Sequence, residues 1–361
     1  METRNIFIDA SIFIGQNYNY RSTDFDQLSR LAKSGQANVF VTDITIREVE
    51  AHIETDISTA ISALKKFQKE TKVRVLKNFD DSPVKELFQE IDETKSTETL
   101  KCQLSTFLQE IRATVLPTSN VSIDAVFDQY FGKRPPFGEG KKKSEFPDAF
   151  AIGAIEAWCK ENDERMYVIS ADGDLKEYCE TSDCLIALDK LPKFISVIEE
   201  SHDEGLAHSV SELLNKNQDA IKGAITESFC KQDFWIEGHD GDVNEVRVNE
   251  LEISEILILE VEQDVAFVHV DVETNFSADL TYDDSYTAAY DREETVWPFL
   301  VTIDKTVDQD VEYTATIQVL HDVENLKYFE VDWVEIQPKQ MTGSELRVGF
   351  AVRIDNKWPY E

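Results

Sequence analysis

Acidic residues follow short apolar runs at several points in this chain of 361 residues. Asp9 ends the first run, and Asp43 ends the second, with Glu48 one turn further on. Asp172 and Asp174 follow a third run. Clustered carboxylates repel one another unless a cation neutralises them, and all-oxygen sites of this kind suit Mg²⁺ or Mn²⁺. Such a site can activate water and stabilise the charge of a phosphodiester under attack.

A further acid, Asp148, lies in the first turn of a predicted helix, directly after the stretch KKKSEFP. Any single Asp of this kind is usually a turn residue or a helix cap, and SADGDL alone could be a plain turn. Ligands of open parallel sheets gather at the carboxyl ends of the strands, so acids from four separate stretches would meet at one sheet edge. This convergence favours a metal site.

The spacing around Asp9 excludes two other chemistries that occur at sheet edges. A haloacid-dehalogenase-like phosphatase needs D-x-D at its first strand, but Ser11 stands two residues after Asp9. A metal-ion-dependent adhesion site needs D-x-S-x-S, but residue 13 is Phe.

The elements that must position these acids alternate between strand and helix over the first 200 residues. Such alternation is typical of βαβ units, and it predicts an α/β domain over 1–200 with a mainly parallel sheet and helices on both faces. Residues from about 76 to 131 are predicted to be a helical insert. The predicted strands are 5–10, 38–43, 165–170 and 184–188, and the clearest helices are 148–160 and 191–200.

Beyond residue 200 the pattern changes. Residues 201–235 are predicted to be a helical linker. From 236 to 361, β-branched and aromatic residues alternate with acids between Asp, Asn and Gly turns. This alternation predicts an all-β antiparallel domain, either a sandwich or a barrel.

Charge and composition restrict the function class. The formal net charge is −35, of which −10 falls on residues 1–200 and −25 on residues 201–361. Such a charge opposes non-specific attraction to nucleic acid or to anionic membranes. We expect no transmembrane helix, because no run of about 18 apolar residues occurs, and no secretion signal at the first residues. Five dispersed cysteines favour a reducing cytoplasm and give neither a zinc site nor a disulfide framework.

Four strings in this order resemble the PIN domain, a metal-dependent nuclease fold. They are FIDASIF (7–13), IREVEAH (46–52), KKKSEFPDAFAIGAIEAW (141–158) and VISADGDL (168–175). More narrowly, the chain is similar to PIN-like proteins in which a Lys/Arg-rich loop runs into E-F-P-D-A. The resemblance covers most of 1–55 and 131–198. It implies a nuclease that holds one or two Mg²⁺ or Mn²⁺ ions.

The resemblance also implies roles for single residues. Asp9, Glu48, Asp148 and Asp172 fall on the catalytic acids that chelate the metals, and Asp174 falls on an additional acid. The implied reaction is endonucleolytic hydrolysis of RNA by metal-activated water, leaving 5′-phosphate and 3′-hydroxyl ends. The choice of RNA rests wholly on the family. Relatives serve as toxins, antiviral defence effectors or RNA-processing enzymes.

A group of basic and polar residues is predicted to contact the nucleic acid. A charged loop is usually only solvated, but this one runs directly into Asp148, which favours contact with phosphates. His52, one turn after Glu48, either supports that carboxylate, contacts a phosphate or is structural. Ser11 takes the small polar position after the first acid. The predicted nucleic-acid-binding residues are Ser11, His52, Lys133, Arg134, Lys141, Lys142 and Lys143.

Two other functions stay open at this point. The α/β domain could be a non-catalytic scaffold whose acidic β module binds a basic partner or a regulatory protein. The chain could also be a structure-specific DNA nuclease of the same superfold. A homo-oligomer is compatible with the sequence, whereas a membrane partner is not expected. The histidines His202, His208 and His239 are predicted to lie in polar loops rather than to bind a metal.

Overall fold

The fold was analysed in a computed structural model that divides into two compact units, Met1–Ile198 and Glu199–Glu361. The predicted basic residues Lys141, Lys142 and Lys143, and the first part of the predicted helical insert, lie outside the described residues. The structure describes residues 1–69, 88–137, 145–202, 204–239, 241–291, 296–322, 328–338 and 349–354.

A five-stranded sheet in the order β3-β2-β1-β4-β5 organises the first unit. All of its strand pairs are parallel, as the alternation of strands and helices predicts. The central strand β1 lies between β2 and β4, so the residues that follow β1 and β4 meet at one edge. The strands are β1 (Asn5–Ile8), β2 (Asn38–Thr42), β3 (Thr114–Leu116), β4 (Met166–Ile169) and β5 (Leu185–Leu188).

Helices cover both faces of this sheet, which is why all four residues of β1 are buried. On one face the ring of Phe40 lies 4.5 Å from that of Trp158. On the other, Tyr167 packs edge-to-face on Phe194 at 5.6 Å. The helices of the unit are α1 (Ala10–Gly15), α2 (Thr23–Lys33), α3 (Asp43–Lys69), α4 (Glu93–Glu110), α5 (Ile123–Gly132), α6 (Phe146–Asn162), α7 (Gly173–Glu180) and α8 (Leu191–His202).

The predicted helical insert contains a strand as well as helices. Its described part holds α4 and α5, but between them β3 pairs with β2 and extends the sheet to a fifth strand. A 3₁₀ turn, Thr118–Asn120, follows β3 directly. A strand of three residues is too short to show a periodicity, so the sequence gives no sign of it.

The second unit is built on a four-stranded antiparallel sheet in the order β10-β9-β8-β7. A separate parallel pair joins β11 to β6. The strands are β6 (Phe234–Ile236), β7 (Gly241–Val261), β8 (Val265–Asp291), β9 (Val296–His321), β10 (Phe329–Pro338) and β11 (Phe350–Val352).

Two helices, α9 (Glu204–Lys216) and α10 (Gln218–Phe229), pack against the apolar face of this sheet. The ring of Phe229 lies 5.1 Å from that of Tyr313 and 5.4 Å from that of Phe276. The antiparallel prediction is therefore confirmed. Among the described residues, the four-stranded sheet is covered by two helices and the short β6–β11 pair, where a sandwich or barrel was expected. The segment predicted as a helical linker, 201–235, supplies helices to this core.

The opposite face of the sheet is acidic. Glu252 on β7, Glu273 on β8 and Glu312 on β9 lie directly opposite one another across the three strands. All three side chains are exposed. Like charges at directly opposite positions destabilise a sheet, so this row gives the unit no stability of its own.

Among the described residues, no helix combines the length and the apolar composition that crossing a membrane requires.

Candidate metal centre

Asp9 occupies the N-cap of α1, at the carboxyl end of the central strand, and is only 8% exposed. Its Oδ2 accepts hydrogen bonds from the Ser11 hydroxyl at 2.6 Å and from the Ser170 hydroxyl at 2.9 Å. The Ser11 amide also donates to Oδ2, at 3.2 Å. These contacts fix the carboxylate, and Oδ1 takes part in none of them. The local sequence thus forms a cap that orients a buried carboxylate.

The end of the neighbouring strand β4 is joined to the same network. The Ala171 amide donates to the Ser11 hydroxyl, at 3.2 Å, and the Asp172 amide donates to the Ser170 hydroxyl, at 3.0 Å. Asp172 caps α7 by accepting a 2.7 Å hydrogen bond from the Asp174 amide. The two serines therefore hold the Asp9 and Asp172 segments in a fixed relation.

Helix α3 supplies Glu48. Thr42 lies just before the helix, and its hydroxyl accepts a hydrogen bond from the Thr45 amide at 3.0 Å, which is the geometry of an N-cap. Burial raises the pKa of Glu48, Asp9 raises it further by repulsion, and His52 lowers it. The pKa shift shows that Glu48 shares the electrostatic environment of Asp9 and lies within reach of the His52 imidazole.

Helix α6 supplies Asp148 in its first turn and Glu145 at its N-cap. One carboxylate oxygen from each of Glu145, Asp148 and Asp172 can be chosen so that all three lie within 4.8 Å of one another. All three residues are partly buried. The partial positive charge at the N-terminus of α6 offsets some of the repulsion among them.

Asp148 has the most perturbed carboxyl group of the site. Burial raises its pKa, and repulsion by Asp9, Glu48, Asp172 and Glu145 adds to the effect, giving a value of about 8. The usual value is 3.8. The repulsion among these carboxylates destabilises their ionised forms. A divalent cation bound among them would neutralise that repulsion and lower the pKa of Asp148.

Asp43 follows β2 much as Asp9 follows β1, but it has a different partner. Its Oδ1 accepts hydrogen bonds from the Thr118 amide at 2.9 Å and from the Thr118 hydroxyl at 2.8 Å. Burial raises the pKa of Asp43, but these hydrogen bonds and nearby Arg47 outweigh burial and lower it below its usual value. Asp43 therefore ties α3 to the turn after β3.

Replacing Asp43 with Asn should lower the free energy of unfolding by about 1–2 kcal/mol, because two charge-assisted hydrogen bonds become neutral or are lost. The loss should disappear as the pH falls through the lowered pKa of Asp43, where the wild-type carboxylate also gains a proton. Urea unfolding at pH 7 and at a series of pH values below 4 measures both effects. Unchanged stability at pH 7 would mean that this contact contributes nothing.

The structure brings four of the predicted site residues together. Asp9, Glu48 and Asp172 each lie close enough to Asp148 to raise the pKa of its carboxyl group by repulsion. Asp174 lies in the first turn of α7, where its amide donates a hydrogen bond to the Asp172 carboxylate. Their roles as metal ligands stay predictions.

Other predicted residues have varied positions. The hydroxyl of Ser11 is engaged by Asp9 and the chain after β4, so it orients the site. His52 is exposed beside Glu48. Lys133 and Arg134 are exposed at the end of α5, where Lys133 adopts a left-handed C-cap with φ of 51°.

Two residues of the network were missed from sequence. Ser170 is the first residue of the recognised SADGDL turn, but a serine there looks like an ordinary turn residue. Glu145 lies inside the quoted EFPDA string, yet only its Asp was assigned. A second carboxylate three residues before Asp148, across the start of a helix, was the available signal, because that spacing places both on neighbouring turns.

Comparison with protein-family models matches residues 6–175 to the family described as the PIN domain. The match runs from β1 into α7 and so contains the whole acidic network. Residues 6–175 form a PIN domain. PIN domains are generally metal-dependent nucleases that use divalent ions, typically Mg²⁺ or Mn²⁺, and act on nucleic acid.

The match confirms the resemblance found in the sequence, while the narrower likeness through the basic loop and EFPDA stays a prediction. No curated protein matches the chain in a sequence comparison.

Proposed function

We propose that this chain is a cytoplasmic endoribonuclease that depends on Mg²⁺ or Mn²⁺ and leaves 5′-phosphate and 3′-hydroxyl ends. The observation that carries the proposal is the convergence of Asp9, Glu48 and Asp172, from three other stretches of the PIN domain, on the Asp148 carboxyl group. Cleavage of RNA in the cytoplasm fits a role as a toxin or an antiviral defence effector.

The residues present fit a divalent ion because the site offers carboxylate oxygens at close range and a repulsion that a cation relieves. Asp9, Glu48, Asp148 and Asp172 would hold one or two ions, with Glu145 as a further oxygen donor. A bound Mg²⁺ or Mn²⁺ offsets negative charge on the phosphodiester and makes water a stronger nucleophile. Ser11 and Ser170 keep Asp9 oriented throughout.

The direct test compares the purified full chain on single-stranded RNA, on DNA of the same sequence and on a branched DNA. Each substrate is incubated with Mg²⁺, with Mn²⁺ and with a chelator, and the product ends are mapped. We expect metal-dependent cleavage of RNA within the strand. Cleavage of branched DNA alone would identify the structure-specific DNA nuclease instead.

Neutralising Lys141, Lys142 and Lys143 to Gln should weaken RNA binding similarly for all sequences and flatten its salt dependence by about 2 in the log–log slope. The matched control replaces Lys65, Lys66 and Lys69 near the end of α3, which changes the net charge equally. Binding is measured by fluorescence anisotropy between low and moderate salt. Equal slopes for the two triple variants would mean that the first loop is only solvated.

A second candidate function, binding of a basic protein partner or regulator, is favoured by the exposed row of Glu252, Glu273 and Glu312. If the PIN domain were only a scaffold for this binding, the chain would cleave no nucleic acid and divalent ions would not stabilise it. Both results together would favour the second candidate over the nuclease.

A further inference from the structure

Five aromatic rings form a continuous cluster where α5 approaches the start of α6. The Phe146 ring lies 5.7 Å from Phe127, 5.1 Å from Tyr130 and 5.0 Å from Phe137. Phe131 continues the cluster, with its ring 6.0 Å from Phe127 and 5.2 Å from Tyr130. Each of the five rings therefore contacts at least one other ring of the cluster.

Burial differs sharply across this cluster. Phe137 is fully buried and belongs to a small core with Val126 and Ala149. Phe131 is 76% exposed and Phe127 is 42% exposed, and their rings are stacked with an angle of 24°. The inner rings thus fix the position of the outer two, which present aromatic faces to solvent. Burying exposed aromatic surface is favourable, so this patch has the character of a binding site.

The position of the patch indicates that occupant. Phe146 is the first residue of α6, between Glu145 and Asp148 in the sequence, so the aromatic cluster and the acidic site share the start of this helix. Lys133 and Arg134 are exposed just after Phe131, where α5 ends. Aromatic faces beside cations are the combination that binds unpaired nucleotides, with stacked bases and neutralised phosphates.

We propose that Phe131 and Phe127 form a platform on which unpaired bases of the substrate stack. The inference rests on the proposed nuclease function and adds to it the residues that would bind the bases. Bases in a duplex have both faces covered by neighbouring bases and cannot use the platform. The platform would hold the strand while the adjacent carboxylates act on its backbone.

The same stripe of α5 carries a matched control. Ile123 is 62% exposed and lies two turns before Phe131, about 12 Å away along the helix. An apolar protein partner docking on α5 would use Ile123 as well as the rings. Base stacking needs the rings alone.

The experiment uses the full chain carrying Asp148→Asn, to prevent cleavage, and a single-stranded RNA that contains 2-aminopurine. Binding is measured by anisotropy for Phe131→Ala, Phe131→Leu, Phe131→Trp and Ile123→Ala, and stacking by the quenching of 2-aminopurine fluorescence. A blunt duplex of the same sequence is measured in parallel.

We expect Phe131→Ala and Phe131→Leu to weaken single-strand binding by about 5- to 100-fold and to reduce the quenching. Phe131→Trp and Ile123→Ala should stay within about twofold of the parent, and duplex binding should not change. Thermal unfolding checks that the variants fold, as the exposure of Phe131 predicts.

Equal single-strand affinity for Phe131→Ala and the parent would overturn the platform, as would an equal loss for strand and duplex. The failure of the proposed function is distinguishable from this one. It would show as no cleavage of any nucleic acid by the unsubstituted chain with either metal, whatever Phe131→Ala does to binding.

Discussion

Replacing Asp148 with Asn is expected to reduce cleavage by roughly 10²–10³-fold or more and, in the same molecule, to stabilise the metal-free protein. Activity falls because the variant loses a negatively charged oxygen donor at the centre of the acidic network. Stability rises because Asn cannot ionise and so removes the repulsion that Asp148 feels from its acidic neighbours.

The sign of the stability change follows from the pKa of Asp148. It is about 8 in the folded chain and near 3.8 when the group is free of the fold. Between these pH values the unfolded chain gives up the proton first, so the free energy of unfolding of the wild type falls as the pH rises. At pH 7 the variant should exceed the wild type by up to about 4 kcal/mol, with the two converging below pH 4.

Two variants with the same chemical change serve as controls. Asp163→Asn alters the C-cap of the same helix, where Asp163 has a φ of 54° that Asn adopts readily, and should leave activity and stability unchanged. Asp43→Asn should destabilise. Opposite signs at Asp148 and Asp43 would show that the two acids have different partners. Full activity in Asp148→Asn with Mg²⁺ would disprove the metal-site assignment.

Divalent ions should stabilise the wild type, and the stabilisation should grow as the pH rises from 6 to 8.5. A cation must displace the proton that Asp148 retains below its pKa of about 8, so protons compete with metal at low pH. At a hundredfold excess of ion over its Kd the gain is about 2.7 kcal/mol. Calorimetry at several pH values, with and without Mn²⁺, measures this gain in stability from the thermal unfolding of the first unit.

The same scan on Asp148→Asn and Asp9→Asn should show little or no stabilisation by Mn²⁺ at any pH. Asp43→Asn should keep the full increment, since Asp43 bonds Thr118. An increment that is the same in all four proteins would place the ion elsewhere in this acidic chain.

Much of the site could be predicted because its acids follow recognisable apolar runs. Asp9 directly follows β1, and Asp172 comes three residues after the end of β4. These two strands pair with each other, so the meeting of the two acids follows from parallel topology. Asp43 has the same local pattern but is held by Thr118, and that contact depends on a strand too short to detect. Glu145 was not assigned because α6 begins at Phe146, two residues before the predicted start, which makes Glu145 the N-cap three residues before Asp148.

In the second unit the strands could be predicted from the sequence, but the layer that covers their sheet could not. Alternating residues along β7, β8 and β9 predict antiparallel strands correctly, but alternation specifies only that one face is buried. It does not state what buries it. A full second sheet and a pair of helices satisfy the same pattern, and here α9, α10 and the short β6–β11 pair cover the described sheet.

The outer strand β7 is 21 residues long and, among the described residues, is hydrogen-bonded within its sheet to β8 alone, so its other edge forms the border of that sheet. Such an edge is a template on which another molecule could add a strand. Its repeated glutamates set negative charge against negative charge whenever two copies approach edge to edge. Self-association is thus opposed only while those groups stay ionised and unscreened, so acid or concentrated salt should be the conditions under which this protein aggregates. The glutamates concerned are Glu245, Glu250, Glu252, Glu255 and Glu260.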